Sequence, residues 1–244
     1  MSKYVVMATW QDVPHLSPED QADLLASIPE YQRDARTKGI PQLGSGAVFP
    51  ISEEEIKCDA FPIPDHWAQI GGMDFGWDHP FAAAHLAHDR DSDTIYVVNG
   101  YRKSQATPLI HCDAIRQWGF PNMPWAWPHD GQQHGKGDGQ QLAKLYRDHN
   151  LNLLSDFAKF ADGGYGLEAG IMMMLQYMQG GRFKVFRHIA DFFEEMRLYH
   201  RKDGVIVKVR EDLISSVRYA MMMRRFAETA AEQESLPAVS VFRY

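Results

Sequence analysis

Short apolar blocks dominate residues 68–101, and helically spaced apolar residues recur from 108 onward. Ile70 to Met73 forms a block ending on Asp74, Phe81 to Leu86 a second, and Thr94 to Tyr101 a third. Turn chemistry separates them, at Phe75 to Pro80 and again at Asp89 to Asp93, which predicts three successive antiparallel strands. Ile110, Ala114, Ile115 and Trp118 then fit the inner face of a helix over 108–118. A strand at 125–128, a helix at about 140–149, a strand at 151–154 and a helix at about 167–179 follow. Beyond them the pattern predicts a strand at 183–186 and a helix at 188–201 with Ile189, Phe192, Phe193, Met196 and Tyr199 inward. A hairpin over 201–210 turns at Lys202-Asp203-Gly204, and Glu211-Asp212 opens a last helix.

The order β-β-β-α-β-α-β-α is the layout of the ribonuclease H-like α/β fold, a mixed central sheet flanked by helices. The stretch before it is less regular. Tyr4 to Trp10 is strand-like, and Ser17-Pro18-Glu19-Asp20 has the cap, proline and acids of a helix start. Residues 1–45 therefore form a separate segment, with 39–45 as a linker, and 46–244 the main domain. Within the latter, 47–51 and 57–63 are expected as short strands joined by an acidic turn, Ser52 to Glu55.

Three acidic positions share one topological place. Asp74 ends the first strand, Asp130 follows the fourth, and Glu211 and Asp212 begin the final helix. If the first and fourth strands are parallel neighbours, Asp74 and Asp130 meet at one sheet edge, where the last helix brings the third acid. Singly, each has an ordinary reading: a turn cap, an Asp-Gly turn, an acidic helix start. Together they suit Mg²⁺ or Mn²⁺, hard cations that bind clustered carboxylate oxygens. Two such ions roughly 4 Å apart can hydrolyse a phosphodiester.

Composition narrows the partners. With Lys+Arg 25 against Asp+Glu 32 the net charge is −7, which argues against an indiscriminate polyanion binder and leaves room for a local basic face. The two cysteines, Cys58 and Cys112, have no CxxC spacing and are expected as free thiols in a reducing compartment. No run is long enough to span a membrane.

Several motifs carry a family likeness: MDFGWDHP (73–80), WPHDG (127–131), EAGIMMML (168–175), GRFKVF (181–186), RLYHRKDG (197–204) and EDLISSVRYAMM (211–222). They resemble the nuclease domain of bacteriophage terminase large subunits, the motors that cut concatemeric viral DNA and pump it into the capsid. Residues 8–41 also resemble the segment between that family's ATPase and nuclease domains. The likeness implies a ribonuclease H-like, metal-dependent endonuclease acting on double-stranded DNA, with Mg²⁺ or Mn²⁺, two ions, as cofactor. It maps the ligands onto Asp74, Asp130 and the Glu211-Asp212 pair, with Asp212 favoured and Asp78 as an outer or alternative ligand. It implies portal protein and small terminase subunit as partners, and the host cytoplasm as location. Ser215-Ser216 stands where the family has Ser or Asp followed by Ala.

Gly131 to Gly137 superficially suggests a phosphate loop, but three residues separate Gly131 from Gly135, and Gly rather than Ser or Thr follows Lys136. A glycine-rich loop carrying His129, His134 and Lys136 better suits contact with a DNA backbone. Arg201, Lys202, Lys208 and Arg210 around the hairpin are candidates for the same role, or else a solvated face. His129 and His134 lack zinc-site spacing, and Met172 to Met174 and Met221 to Met223 are expected as core filler. Two other readings stand beside the nuclease: a module that grips DNA or docks on the portal with weak isolated activity, and another ribonuclease H-like enzyme such as a resolvase or transposase.

Overall fold

The computed structural model describes residues 9–13, 16–28, 33, 36–39, 46–120, 122–132, 142–208 and 210–234. Its centre is a six-stranded sheet in the order β1-β6-β4-β3-β2-β5. Strands β2 (Ala68–Asp74), β3 (Phe81–Asp89) and β4 (Thr94–Lys103) form the antiparallel meander that the apolar blocks predict. Strand β5 (Trp125–Ala126) joins β2 in parallel. Strand β6 (Phe183–Phe186) runs parallel to β4, and β1 (Lys57–Cys58) parallel to β6.

Helices cover both faces. On one lie α5 (Leu167–Gln179), α6 (Ala190–Leu198) and α7 (Asp212–Met222), sharing a core with Ile70, Leu86, Val97 and Val185. On the other, α3 (Pro108–Arg116) and α4 (Leu142–Asp148) close over Met73, Phe81, Ala83 and Trp125. Because both faces are covered, β2 is buried along its length and its acid emerges only at the last residue. Two glycines allow this packing. A Cβ on Gly71 would lie 2.3 Å from the Trp125 ring, and one on Gly72 would lie 2.0 Å from the Ser216 carbonyl oxygen. Gly72 thus lets α7 press directly on β2.

Outside this body, α1 (Pro18–Ser27) starts as its sequence suggests, with Ser17 Oγ accepting from Asp20 N at 3.1 Å. The hairpin also forms, β7 (Arg201–Lys202) against β8 (Val205–Ile206), turning at Asp203 and Gly204 with φ of 52° and 80°.

Local patterns mislead in a few places. The acidic run after Ser52 is not a turn between strands but a short helix, α2 (Glu53–Ile56), whose entry is fixed by Ser52 N donating to Glu55 Oε1 at 3.1 Å. Residues 59–63 add no strand, and Ala47 makes only an isolated bridge to His200. Helix α3 buries His111, Cys112 and Ile115, leaving Ile110 exposed, because Tyr146 of α4 offers His111 Nδ1 a hydrogen-bond partner at 2.9 Å. Residues 151–154 contribute a single bridge, Leu153 to Trp125. Trp10 lies in a 3-10 turn (Trp10–Asp12), while residues 4–8 of the expected first strand fall outside the described residues. Met221 to Met223 and Met174 are core, whereas Met172 is exposed. Both cysteines are free. A last short helix, α8 (Ala230–Glu234), closes the described chain.

Candidate active site

The C-terminal ends of β2 and β5 lie side by side through the pairs Gly71–Trp125 and Gly72–Ala126. Asp74 is the last residue of β2. Four residues past β5, Asp130 sits in a 3-10 turn (His129–Gln132), and α7 delivers Glu211 at its cap and Asp212 at its first turn. All four carboxylates line one cavity of about 280 Å³, with His79, Lys208, Arg210, Arg218 and Tyr219 also on its wall. The parallel pairing inferred from the sequence therefore exists and brings Asp74 and Asp130 together, while α7 packed on β2 adds Glu211 and Asp212.

The electrostatics are those of crowded acids. Burial, then the charges of Glu211 and Asp130, hold the Asp74 carboxyl well above the ordinary aspartate range, with Arg218 pulling the other way. Burial also raises Asp130, opposed by its own turn N–H, His129 and Lys208, and raises Asp212, opposed by Arg102. Arg218 is 5% exposed, its stem passing over Gly170, where a Cβ would come 2.6 Å from Arg218 Cδ. Its guanidinium lies 4.3 Å over the Tyr219 ring.

The two acids at the head of α7 are turned to different partners. Ser215 Oγ donates to Glu211 Oε2 at 2.6 Å. Arg102 Nε approaches Asp212 Oδ2 at 3.5 Å, and Arg102 Nη1 approaches Glu195 Oε1 at 3.3 Å. Glu195 is fully buried on α6, and its Oε2 accepts from Leu213 N and Ile214 N, each at 2.9 Å. A carboxylate from one helix thus caps the N-terminus of another and ties it, through Arg102, to the end of β4. Sequence reading singled out none of Arg102, Glu195, Arg218 or His79.

The donor set is carboxylate oxygen throughout, which fits a hard divalent cation. Among the described residues no three metal-ligating groups converge closely enough to hold an ion as the side chains stand. Glu211 and Asp212 would leave Ser215 and Arg102 to complete such a site beside Asp74 and Asp130.

The other expected site residues are scattered. Asp78 is exposed on the turn and absent from the cavity wall, where His79 stands instead. His129 is exposed and stacks on Tyr165, centroids 5.4 Å apart. Arg201 forms a two-pronged pair with Glu168, 2.7 and 2.5 Å, while Lys202 is exposed on the hairpin and Lys208 reaches the cavity. His134 and Lys136 lie outside the described residues.

The family model described as the terminase RNaseH-like domain matches residues 71–224, which include every element of this cavity. The chain belongs to that family. It is 46% identical over 227 residues to the terminase large subunit of Salmonella phage P22, covering 93% of this chain and 45% of the relative. To that of Enterobacteria phage LP7 it is 45% identical over 224 residues, covering 91% and 47%. The chain spans about half the length of the curated relatives it matches. The structure of the P22 large terminase nuclease domain superposes with a TM-score of 0.72 at 46% identity, covering 77% of this chain and 96% of that one. The large terminase nuclease from thermophilic phage G20c, solved with bound magnesium, shares the fold at a TM-score of 0.51 and 14% identity, covering 73% and 97%. The ribonuclease H-like fold expected from element order is thereby established for this terminase-family domain.

Buried ionisable groups also set a pH dependence. Burial pushes Glu195 up to about 8, opposed by the Ile214 and Leu213 N–H groups and Arg102, so its folded pKa lies above its unfolded one. That contribution is complete below the unfolded value and is lost as pH rises through about 8. Burial lowers His85 to about 3 and His111 to about 4, so their contribution is lost as pH falls below about 6.5, the unfolded histidine value. The metal-free domain should therefore melt highest just above the histidine range and progressively lower towards pH 8. Melting curves in EDTA check this, and a flat or rising profile between pH 7 and pH 8 would contradict it.

Proposed function

We propose that this terminase-family domain is a divalent-metal-dependent endonuclease that cuts double-stranded viral DNA during genome packaging. The observation that carries the reading is the convergence of Asp74, Asp130, Glu211 and Asp212, from three separate elements, on one cavity walled by Lys208, Arg210 and Arg218. The magnesium in the G20c nuclease structure supports a divalent cation as cofactor. Asp74 and Asp130 would hold the ions from the sheet edge, with Asp212 and Glu211 completing the set from α7. When bound, a pair of Mg²⁺ or Mn²⁺ ions supplies an activated water and stabilises the leaving oxygen. The chain's own residues do the rest. Lys208 draws the phosphate to the cavity, Arg210 is paired with Glu194 at 2.6 Å, and Arg218 offsets the charge of Asp74.

Segment 1–45 is read as the end of a preceding ATPase domain and 46–244 as the nuclease. Portal protein and the small terminase subunit are the proposed partners, in the host cytoplasm. Among the described residues no helix is long and apolar enough to cross a membrane. A second reading, a DNA-gripping or portal-docking module with weak isolated activity, draws on the Arg102–Asp212 pair, which holds one candidate ligand aside.

Supercoiled plasmid decides between them. The nuclease reading expects nicking and linearisation with Mn²⁺ or Mg²⁺, none in EDTA, and little sequence preference. DNA binding without cutting at any metal concentration favours the gripping module. Cleavage confined to branched junctions, or strand transfer, would point to a resolvase or transposase instead.

A further inference from the structure

A second cavity, of about 540 Å³, lies at the far end of α7 and is lined by His88, Arg90, Phe160, Met222, Arg224 and Arg225 among others. Its place in the sheet is opposite the acids. His88 pairs with Ala68 at the start of β2, whereas Asp74 pairs with Ala82 at its end. The 11 residues of α7 separate the two sites by about 16 Å along the helix axis.

The arginines here are fixed without being neutralised. Arg224 Nη1 donates to the Met221 carbonyl at 3.0 Å, and Arg225 Nη1 donates to the carbonyls of Met222 and Lys159 at 2.9 and 3.0 Å. Helix-end carbonyls hold the guanidiniums in place, and their partial charge favours cations there. Among the described residues neither guanidinium forms an ion pair with a carboxylate. Arg90 adds a third, its Nη2 donating to Ala227 O at 2.7 Å, with Glu232 3.7 Å from its Nη1. His88 Nδ1 is buried with no hydrogen-bond partner among the described residues. A fixed group of guanidiniums with N–H donors to spare suits a phosphate, whose oxygens take paired N–H bonds.

We propose that this arginine-lined cavity binds a backbone phosphate of the DNA duplex, about 16 Å from the acid site along α7. That distance is about five base-pair steps at 3.4 Å each. The inference rests on the DNA-cutting reading above. It assigns Arg224 and Arg225 to holding the duplex rather than to the chemistry.

The test compares the full chain with the double variants Arg224→Gln/Arg225→Gln and Arg224→Lys/Arg225→Lys, measuring affinity for a 30-base-pair duplex from 50 to 200 mM salt without metal. Losing this phosphate contact lowers the slope of log affinity against log salt by about one, so affinity falls about threefold to fourfold less over that range. The lysine pair should keep a slope close to that of the unsubstituted chain. Plasmid cutting should slow at limiting DNA and be unchanged at saturation. If the double glutamine variant does not fold, Arg225→Gln alone, at an exposed position, should lower the slope in the same direction by a smaller amount. An unchanged slope in folded glutamine variants, with the parent chain binding and cutting normally, overturns the inference while leaving the nuclease reading intact. A parent chain that neither binds nor cuts DNA overturns the nuclease reading itself. Inorganic phosphate serves as the second arm. If calorimetry shows arginine-dependent binding of phosphate while the DNA slope stays the same, the cavity is a free-anion site and the DNA assignment fails.

Discussion

Asp74→Asn should reduce plasmid cleavage on the order of 10³-fold or more in either Mg²⁺ or Mn²⁺, while the domain stays folded. Asp74 sits where β2 ends, and burial with the nearby charges of Glu211 and Asp130 disfavours its ionisation, so a cation placed beside it would relieve that crowding. Losing a charged ligand forfeits several kcal/mol of charge stabilisation, and each 1.36 kcal/mol is a factor of about ten in rate. The fold should tolerate the change, because burial and like charge already favour the uncharged carboxyl and asparagine has nearly its shape. Melting in EDTA should match or exceed the parent, and the rise on adding Mn²⁺ should shrink. Full cleavage by a folded Asp74→Asn protein would place the chemistry elsewhere.

Glu195→Ala should cost about 2–4 kcal/mol of stability, the scale for leaving two buried N–H groups without the acceptor they share. The loss has two sources in the structure. Leu213 N and Ile214 N lose the acceptor they share, and Arg102 loses one of its two carboxylates. For a domain of this size that corresponds to a fall in Tm on the order of 10 °C. Glu195→Gln keeps an acceptor for the helix N–H groups and should lose less. Because α7 carries Glu211 and Asp212, loosening its first turn should also weaken the stabilisation that Mn²⁺ gives. Thermal melts of both variants, with and without Mn²⁺, separate the effects. If Glu195→Ala melts within a degree of the parent, Glu195 is not holding the helix.

Much of this molecule is legible in its sequence because much of it is local. The meander comes from three apolar blocks broken by turn residues, and α5 and the 201–206 hairpin follow from helical spacing and an Asp-Gly turn. Asp74, Asp130 and Glu211-Asp212 stood out because each falls at or near the end of a recognisable element; the parallel β2–β5 pair gathers the first two, and α7 packed on β2 brings the others. The errors are of scale. Residues 151–154 have strand composition but form a single bridge, to Trp125, and α3 turns His111 inward because Tyr146 of another helix bonds to it.

What only the tertiary structure decided is how the gathered acids are held. Arg102 is the penultimate residue of a strand, Glu195 a polar residue on an otherwise amphipathic helix, and Arg218 an arginine seven residues into another. Nothing near them in sequence marks them, since their partners come from other elements: α7 N–H groups for Glu195, Asp212 for Arg102, Gly170 of α5 for Arg218. Periodicity and capping act over a few residues, so the chain itself dictates which element ends on an acid. Burial and ion pairing depend on packing between distant elements, so only the fold decides that Asp212 leans on Arg102, that Glu211 leans on Ser215, and that Asp74 bears the charge of its neighbours.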